Sequence, residues 1–236
     1  MVAPAYRDGC PLLGARHQPM ADSCAVNLEA VIFDLGGVLM RNGGPADFSR
    51  RFPDVDPAVV LPILMGPYGE DTDHPWHRVE RGEITLAECR AANREALAEA
   101  GLSDRVRPGP PTIIFVPNDE MVALVVDLRA AGLRTGLLTN NVREFRENWW
   151  PVLPYSEIFD DVVDSHEFGM RKPNPAIYEL AVARLGVSAS ATAFLDDIET
   201  NVAAARAVGM HGFLVVDDGA DAIADVRRMA GLSRRP

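Results

Sequence analysis

Residues 31–39 read Val31-Ile32-Phe33-Asp34-Leu35-Gly36-Gly37-Val38-Leu39, and this stretch decides the fold. Its apolar run, taken from Ala30, predicts a buried strand that ends on the carboxylate of Asp34. Gly36 and Gly37 follow at once and let backbone N–H groups approach a bound anion. In an open parallel sheet ligands bind outside the carboxyl ends of the strands, so Asp34 is expected at such an edge. A carboxylate there can act as a covalent nucleophile.

Outward from that strand the chain alternates. Further strands are expected over Arg134–Thr139, Asp161–Asp164, Thr192–Asp196 and Gly212–Val216, after a first over Ala30–Asp34. Helices between them carry start and stop signals. Asn118 with Asp119 and Glu120 opens one that ends at Gly132, Asn174-Pro175 opens another that ends at Gly186, and Glu199–Val208 stops at Gly209. Strands separated by helices imply βαβ units, hence an α/β fold with a doubly wound parallel sheet.

The stretch from about Pro45 to Gly109 is different in character, with many helix formers and few β-branched runs. Thr85-Leu86-Ala87-Glu88 is a capping box that opens a helix reaching about Ala100. We expect residues 45–109 to form a small helical cap over the carboxyl edge of the sheet, with residues 29–44 and 110–236 as the core. The Pro-rich segment Pro108–Pro117 returns the chain to that core, and residues 1–28 read as a disordered leader in which Met20 is an alternative start.

At 236 residues, 47% hydrophobic and 24% charged, the composition is that of an ordinary globular protein. A net charge of −11 opposes general binding to nucleic acid or anionic membranes. Cys10, Cys24 and Cys89 lie far apart without a C-x-x-C pair, which suggests a reducing, cytoplasmic setting. No apolar run is long enough to span a bilayer. Exposed cap surfaces would allow a homodimer.

Four segments place polar groups where an apolar strand ends or just beyond. They are Asp34, then Gly136-Leu137-Leu138-Thr139-Asn140-Asn141, then Gly169-Met170-Arg171-Lys172-Pro173, then Ala193-Phe194-Leu195-Asp196-Asp197. Their chemistry fits phosphoryl transfer. Asp34 can attack phosphorus in line, and a hard cation would neutralise the crowded anions. Candidate ligands for Mg²⁺ are Asp34, the carbonyl of Gly36, and Asp197 or Asp196. Lys172 adds fixed positive charge and can orient Asp34 or Asp196. The Thr139 hydroxyl and the Asn140 amide can donate to phosphoryl oxygens.

In this order the segments resemble the four motifs of the haloacid dehalogenase-like hydrolases, over residues 30 to about 216. The nearest likeness is to the group with a helical cap after the first motif, which includes the N-terminal phosphatase domain of soluble epoxide hydrolase. The cap stretch Pro75-Trp76-His77-Arg78-Val79-Glu80-Arg81-Gly82-Glu83-Ile84-Thr85 also looks like that group. The resemblance implies Asp34 as nucleophile, Thr139 and Asn140 as phosphate binders, Lys172 as charge balance, and a small phosphorylated molecule as substrate. It favours Asp197 over Asp196 as the direct magnesium ligand.

One position departs from the pattern. Phosphatases of the family usually carry a second acid two residues after the nucleophile, and here that residue is Gly36. Loss of a general acid costs about 10²–10⁴-fold in rate. Slow turnover of alkyl phosphates is therefore expected, with a smaller penalty on activated esters, unless water, His74 or His77 supplies the proton. Two alternatives remain: a metal-independent dehalogenase, which has no need of paired acids, and a catalytically weak regulatory module, which Gly36 alone supports.

Bland readings stand beside these. Asp196-Asp197 could simply cap the helix that follows. The cluster Asp71-Thr72-Asp73-His74-Pro75-Trp76-His77 tempts a zinc reading, against a substrate-facing cap loop or a plain turn. Trp149 and Trp150 read as packing beside the site, and Arg227-Arg228 with Arg234-Arg235 as a solvated terminus.

Overall fold

A computed structural model describes residues 27–41, 51–67, 69–107 and 115–233. Five parallel strands form the sheet: β1 (Ala30–Phe33), β2 (Arg134–Thr139), β3 (Asp161–Asp164), β4 (Thr192–Asp196) and β5 (His211–Leu214). Their order is β3-β2-β1-β4-β5, so β1 lies at the centre. It pairs with β2 (Phe33 opposite Leu137) on one side and with β4 (Phe33 opposite Leu195) on the other.

Because side chains alternate along a strand, one apolar run supplies two cores. Val31 and Phe33 join a cluster with Leu137, Ala193 and Leu195, covered by α4 (Asp119–Ala130) and by α10 (Ala220–Met229) through Ala222 and Val226. Ala30 and Ile32 face the other way, into a cluster with Leu138 and Phe194, under α8 (Pro175–Leu185) and α9 (Glu199–Ala207). Helices on both faces bury every residue of β1. The expected doubly wound sheet is present.

The start and stop signals act locally as read, apart from the Asn118 cap, the last strand and one-residue shifts at the ends of β1 (Phe33, not Asp34) and α9 (Ala207, not Val208). Asn174 Oδ1 accepts from Ala176 N and Pro175 opens α8, which ends at Gly186 in the left-handed region (φ 68°). Asn118 precedes α4 but does not cap it through its side chain, which binds Arg41 and the Asp218 carbonyl instead. The last strand spans His211–Leu214 rather than Gly212–Val216. Its partner β4 stops at Asp196, opposite Leu214, so Val215 adds one hydrogen bond to Asp196 O and the ladder ends.

Between β1 and β2 the described elements are helical: α1 (Pro57–Met65), α2 (Pro75–Glu80) and α3 (Leu86–Glu99). The Thr85 capping box forms, with Glu88 N donating to Thr85 Oγ1 and Thr85 N to Glu88 Oε2. These helices share a third cluster, built on Val60, Trp76, Val79, Leu86 and Leu97, that also takes in Val142 from the sheet side. The expected edges of the insertion, near 45 and 109, lie outside the described residues, as do most of Pro108–Pro117, Cys10, Cys24, residues 1–26 and Arg234-Arg235. Short helices α5 (Arg146–Trp149), α6 (Tyr155–Ile158) and α7 (Ser165–Phe168) complete the order. No helix among the described residues is long and apolar enough to cross a membrane.

Candidate active site

Asp34, Thr139 and Asp196 sit at the carboxyl ends of three adjacent strands, β1, β2 and β4, and so share one edge. The strand β1 ends at Phe33, and Asp34 N still donates to Leu195 O, which fixes its backbone against β4. Beyond it the chain turns tightly, with Met40 N bonded to Leu35 O and Gly37 N to Met40 O. Gly37 has φ 72°, and a Cβ there would run into the Asp197 carboxylate and lie 2.9 Å from Asp197 Cβ. Glycine at 37 is thus what lets the fourth segment close on the first.

The carboxylate oxygens of Asp34, Asp196 and Asp197 lie within 4.8 Å of one another. Lys172, fully buried, joins two of them: its Nζ is 2.7 Å from Asp34 Oδ1 and 2.6 Å from Asp196 Oδ2, and it also donates to Leu138 O. Asn140 holds the loop that carries the lysine. Its Nδ2 donates to Lys172 O and its Oδ1 accepts from Lys172 N. The clamp uses the Asn140 oxygen and one of its two Nδ2 protons. The Lys172–Pro173 peptide is cis.

Asp196 and Asp197 differ in how they are used. Asp196 is wholly buried and saturated, accepting from Lys172 Nζ, Ile198 N and Asn201 Nδ2. The Ile198 contact is a turn ahead of α9, whose N-cap residue is Ile198 with no side-chain cap bond, so the two acids do not cap the helix as the bland reading expected. Asp197 lines the cavity and its carboxylate keeps lone pairs for a ligand. Gly36 lines the same cavity beside Asp34.

Burial dominates the electrostatics. It pushes the Asp34 carboxyl up to about 8, with Asp196 and Asp197 adding repulsion and Lys172 opposing it. Asp197 is pushed up to about 6, by burial and by Asp196. Burial alone would lower the Lys172 ammonium, but Asp196 and Asp34 hold it above its usual value. One lysine does not balance three desolvated acids. The donor set, hard oxygens under mutual repulsion, fits a divalent cation such as Mg²⁺.

The cavity over these groups measures about 90 Å³. Its floor is Asp34, Thr139, Lys172 and Asp197, and its walls include Met65, Trp76 and Glu80 from the helical insertion with Phe145 and Arg171. Sequence reasoning missed Glu80 and Arg171. Arg171 Nε donates to Glu80 Oε2 at 2.7 Å, in a pair buried on both sides. Only the oddity of two adjacent cations, Arg171-Lys172, could have hinted at it.

His74 and His77 do not line this cavity, which removes them as stand-ins for the missing acid. His74 Nδ1 accepts from Trp76 N at the start of α2, and its Nε2 meets Ile63 O. His77 is fully buried; its Nδ1 takes Thr72 N and Oγ1, while Nε2 has no hydrogen-bond partner although the Met65 backbone is near enough to affect its proton affinity. With each Nδ1 spent on backbone amides, the zinc reading fails. Among the described residues no second group of His, Cys, Asp or Glu is placed to hold a metal. Trp149 and Trp150 pack with Tyr155 away from the cavity, Trp149 edge-on at 5.0 Å and Trp150 stacked at 5.2 Å. Arg228 pairs with Asp225 at the surface, whereas Arg227 is half-buried and pairs with Asp127 of α4, so it is not the solvated residue the sequence suggested.

Comparison with known proteins agrees with this geometry. Residues 28–209 match the model of the haloacid dehalogenase-like hydrolase family. A sesquiterpene phosphatase from Aspergillus oryzae is 30% identical over 210 residues, covering 86% of this chain and 97% of that protein. The mouse bifunctional epoxide hydrolase 2 is 27% identical over 221 residues, 86% of this chain but only 39% of that longer protein. A family enzyme from Bacteroides thetaiotaomicron, solved with magnesium and inorganic phosphate, superposes with a TM-score of 0.55 at 22% identity, over 80% of this chain and 94% of that one. The chain belongs to the haloacid dehalogenase-like hydrolases.

Proposed function

We propose that this hydrolase is a Mg²⁺-dependent phosphatase of small phosphomonoesters that works through an aspartyl-phosphate on Asp34. The observation that carries the reading is the lysine-bridged acid cluster: Asp34 Oδ1 is held by Lys172, and Asp34 lines the cavity. The phosphatase named among the relatives and the magnesium and phosphate in the related structure support it. A dehalogenase would have no need of a third acid on the cavity side, and Asp197 is there.

In the first step Asp34 Oδ2 attacks phosphorus, the bridging P–O bond breaks, and the leaving oxygen takes a proton from water. Water then attacks the acyl phosphate, releasing phosphate and restoring the carboxylate. Lys172 favours the ionised form of Asp34 and a bound cation would complete that neutralisation, and the Thr139 hydroxyl donates to the transferring oxygens. Asp34 and Asp197, with the Gly36 carbonyl, would hold Mg²⁺, and Asp196 would position Lys172. When bound, the ion supplies charge neutralisation between carboxylate and phosphate. The helical insertion acts as a cap that excludes water.

The test is phosphate release from a panel of phosphomonoesters with and without Mg²⁺, using Asp34→Asn as control. Activity that requires Mg²⁺ and Asp34, and is slower on alkyl than on aryl or acyl phosphates, is expected. Turnover surviving in Asp34→Asn refutes the covalent route, and halide release from a haloacid without Mg²⁺ replaces the reading with dehalogenation.

A further inference from the structure

The pair Glu80–Arg171 spans the cavity wall and has no role in the chemistry above. Glu80 ends α2 in the insertion, whereas Arg171 directly precedes Lys172 in the core. The carboxylate is braced on both oxygens, by Trp76 Nε1 at 2.8 Å and Arg171 Nε at 2.7 Å. Arg171 Nη1 also donates to the Glu70 carbonyl. Ser165 Oγ donates to the Glu80 carbonyl at 2.6 Å and accepts from Asn141 N, so the backbone at the end of α2 is tied to the segment after β2 as well. These contacts fasten the insertion to the two loops that carry Asn140 and Lys172.

A buried ion pair adds little net stability over a well-packed apolar pair, but it fixes one arrangement, because either partner alone is costly. The arrangement fixed here is tight. At about 90 Å³ the cavity is smaller than the ~150 Å³ that admits a benzene ring. Trp76, Glu80 and Arg171 form the wall that a leaving group would meet.

Building on the phosphatase reading, we propose that the Glu80–Arg171 pair sets the size limit of the substrate. By pinning α2 over the cavity it confines turnover to short phosphomonoesters, a few heavy atoms beyond the bridging oxygen. Bulkier esters enter only when the pair is broken.

The test compares ethyl phosphate with cyclohexylmethyl phosphate, alkyl esters of similar leaving-group basicity, in the full chain with Mg²⁺. The wild type should favour the ethyl ester in kcat/KM. In Glu80→Gln, which keeps the shape of the side chain and an acceptor for Trp76, the bulky-to-short ratio should rise about tenfold or more, mainly through KM. Arg171→Gln should move it the same way, and amide hydrogen exchange in α2 should quicken relative to α10 in both. A wild type that turns over both esters alike overturns the proposal, even if neither variant folds. So does faster exchange with an unchanged ratio, since the pair would then hold the helix without selecting. Absence of turnover on any ester refutes the phosphatase reading and this inference with it, whereas turnover with an unchanged ratio refutes the inference alone.

Discussion

Replacing Lys172 by Met tests whether the acid cluster is held together by a single internal cation. The ammonium is almost wholly buried and lies 2.7 and 2.6 Å from two carboxylates that share a half-buried neighbour, Asp197. Breaking a buried pair by removing one partner typically costs about 3–5 kcal/mol, because the remaining charge is stranded. That is a large part of the ~5–15 kcal/mol that holds a domain folded. Methionine fills the same space, so packing contributes little to the loss.

The cost should depend on pH in a definite direction. Asp34 and Asp197 are raised in the folded chain to about 8 and about 6, so over that window the folded state binds more protons than the unfolded one. Stability of the metal-free protein is then present at low pH and is lost as pH rises through the folded values, by about 1.4 kcal/mol per unit for each such group. Without Lys172 the acids are uncompensated wherever they ionise. Urea titrations in chelator should therefore show a penalty of about 3–5 kcal/mol near pH 8.5 and a much smaller one near pH 5. Mg²⁺ should restore part of it at the higher pH. A penalty equal at both pH values, or below about 1 kcal/mol at the higher, would mean that Lys172 does not neutralise this cluster.

Two further perturbations probe other parts of the site. Gly37→Ala places a methyl against Asp197 at a backbone of φ 72°, which costs about 1–2 kcal/mol in conformation alone, and the displaced carboxylate should weaken Mg²⁺ binding about 10–100-fold; calorimetric titration reads this, and unchanged affinity would exclude Asp197 as a ligand. His77 is held down to about 3 by burial, with Arg171 and His74 adding repulsion, so its contribution runs opposite to that of the acids. The unfolded chain takes up a proton below about 6.5 that the folded chain refuses, so stability is lost as pH falls from there, by about 1.4 kcal/mol per unit. The difference in unfolding free energy between wild type and His77→Gln should shrink between about pH 7 and about pH 5, and a constant difference would show that the fold does not resist protonation of His77.

Much of this was legible in the sequence because the relevant signals are local. A run such as Val31-Ile32-Phe33, buried on both faces, announces a central parallel strand, and Thr85 with Glu88 announces a helix start, whatever surrounds them. Topology then brings Asp34, Thr139 and Asp196 to one edge without any knowledge of packing. What could not be read were contacts between segments far apart in the chain. Glu80 and Arg171 are 91 positions apart, and nothing in either neighbourhood marks them as partners. The bond from Asn140 to the Lys172 backbone, 32 positions on, likewise leaves no local trace. The two histidines stayed open for the converse reason: titratable side chains near a site attract a catalytic reading, and only burial and the Thr72 and Trp76 amides show them spent on turns.

The paired acids after β4 divide their labour along the direction of the strand. Successive residues at a strand end point to different sides, so Asp196 and Asp197 cannot have the same surroundings. Asp196 turns inward, where Lys172, Asn201 and Ile198 N satisfy its oxygens and fix the ammonium that faces Asp34. Asp197 is left at the cavity, brought close by the absence of a side chain at Gly37. An Asn at 197 would remove a ligand charge while leaving the lysine in place. An Asn at 196 would unseat the lysine and with it the positive charge that favours ionisation of Asp34. The two neighbours should therefore fail differently, 197 through metal affinity and 196 through the chemical step and the fold, and that asymmetry follows from one residue's worth of strand geometry.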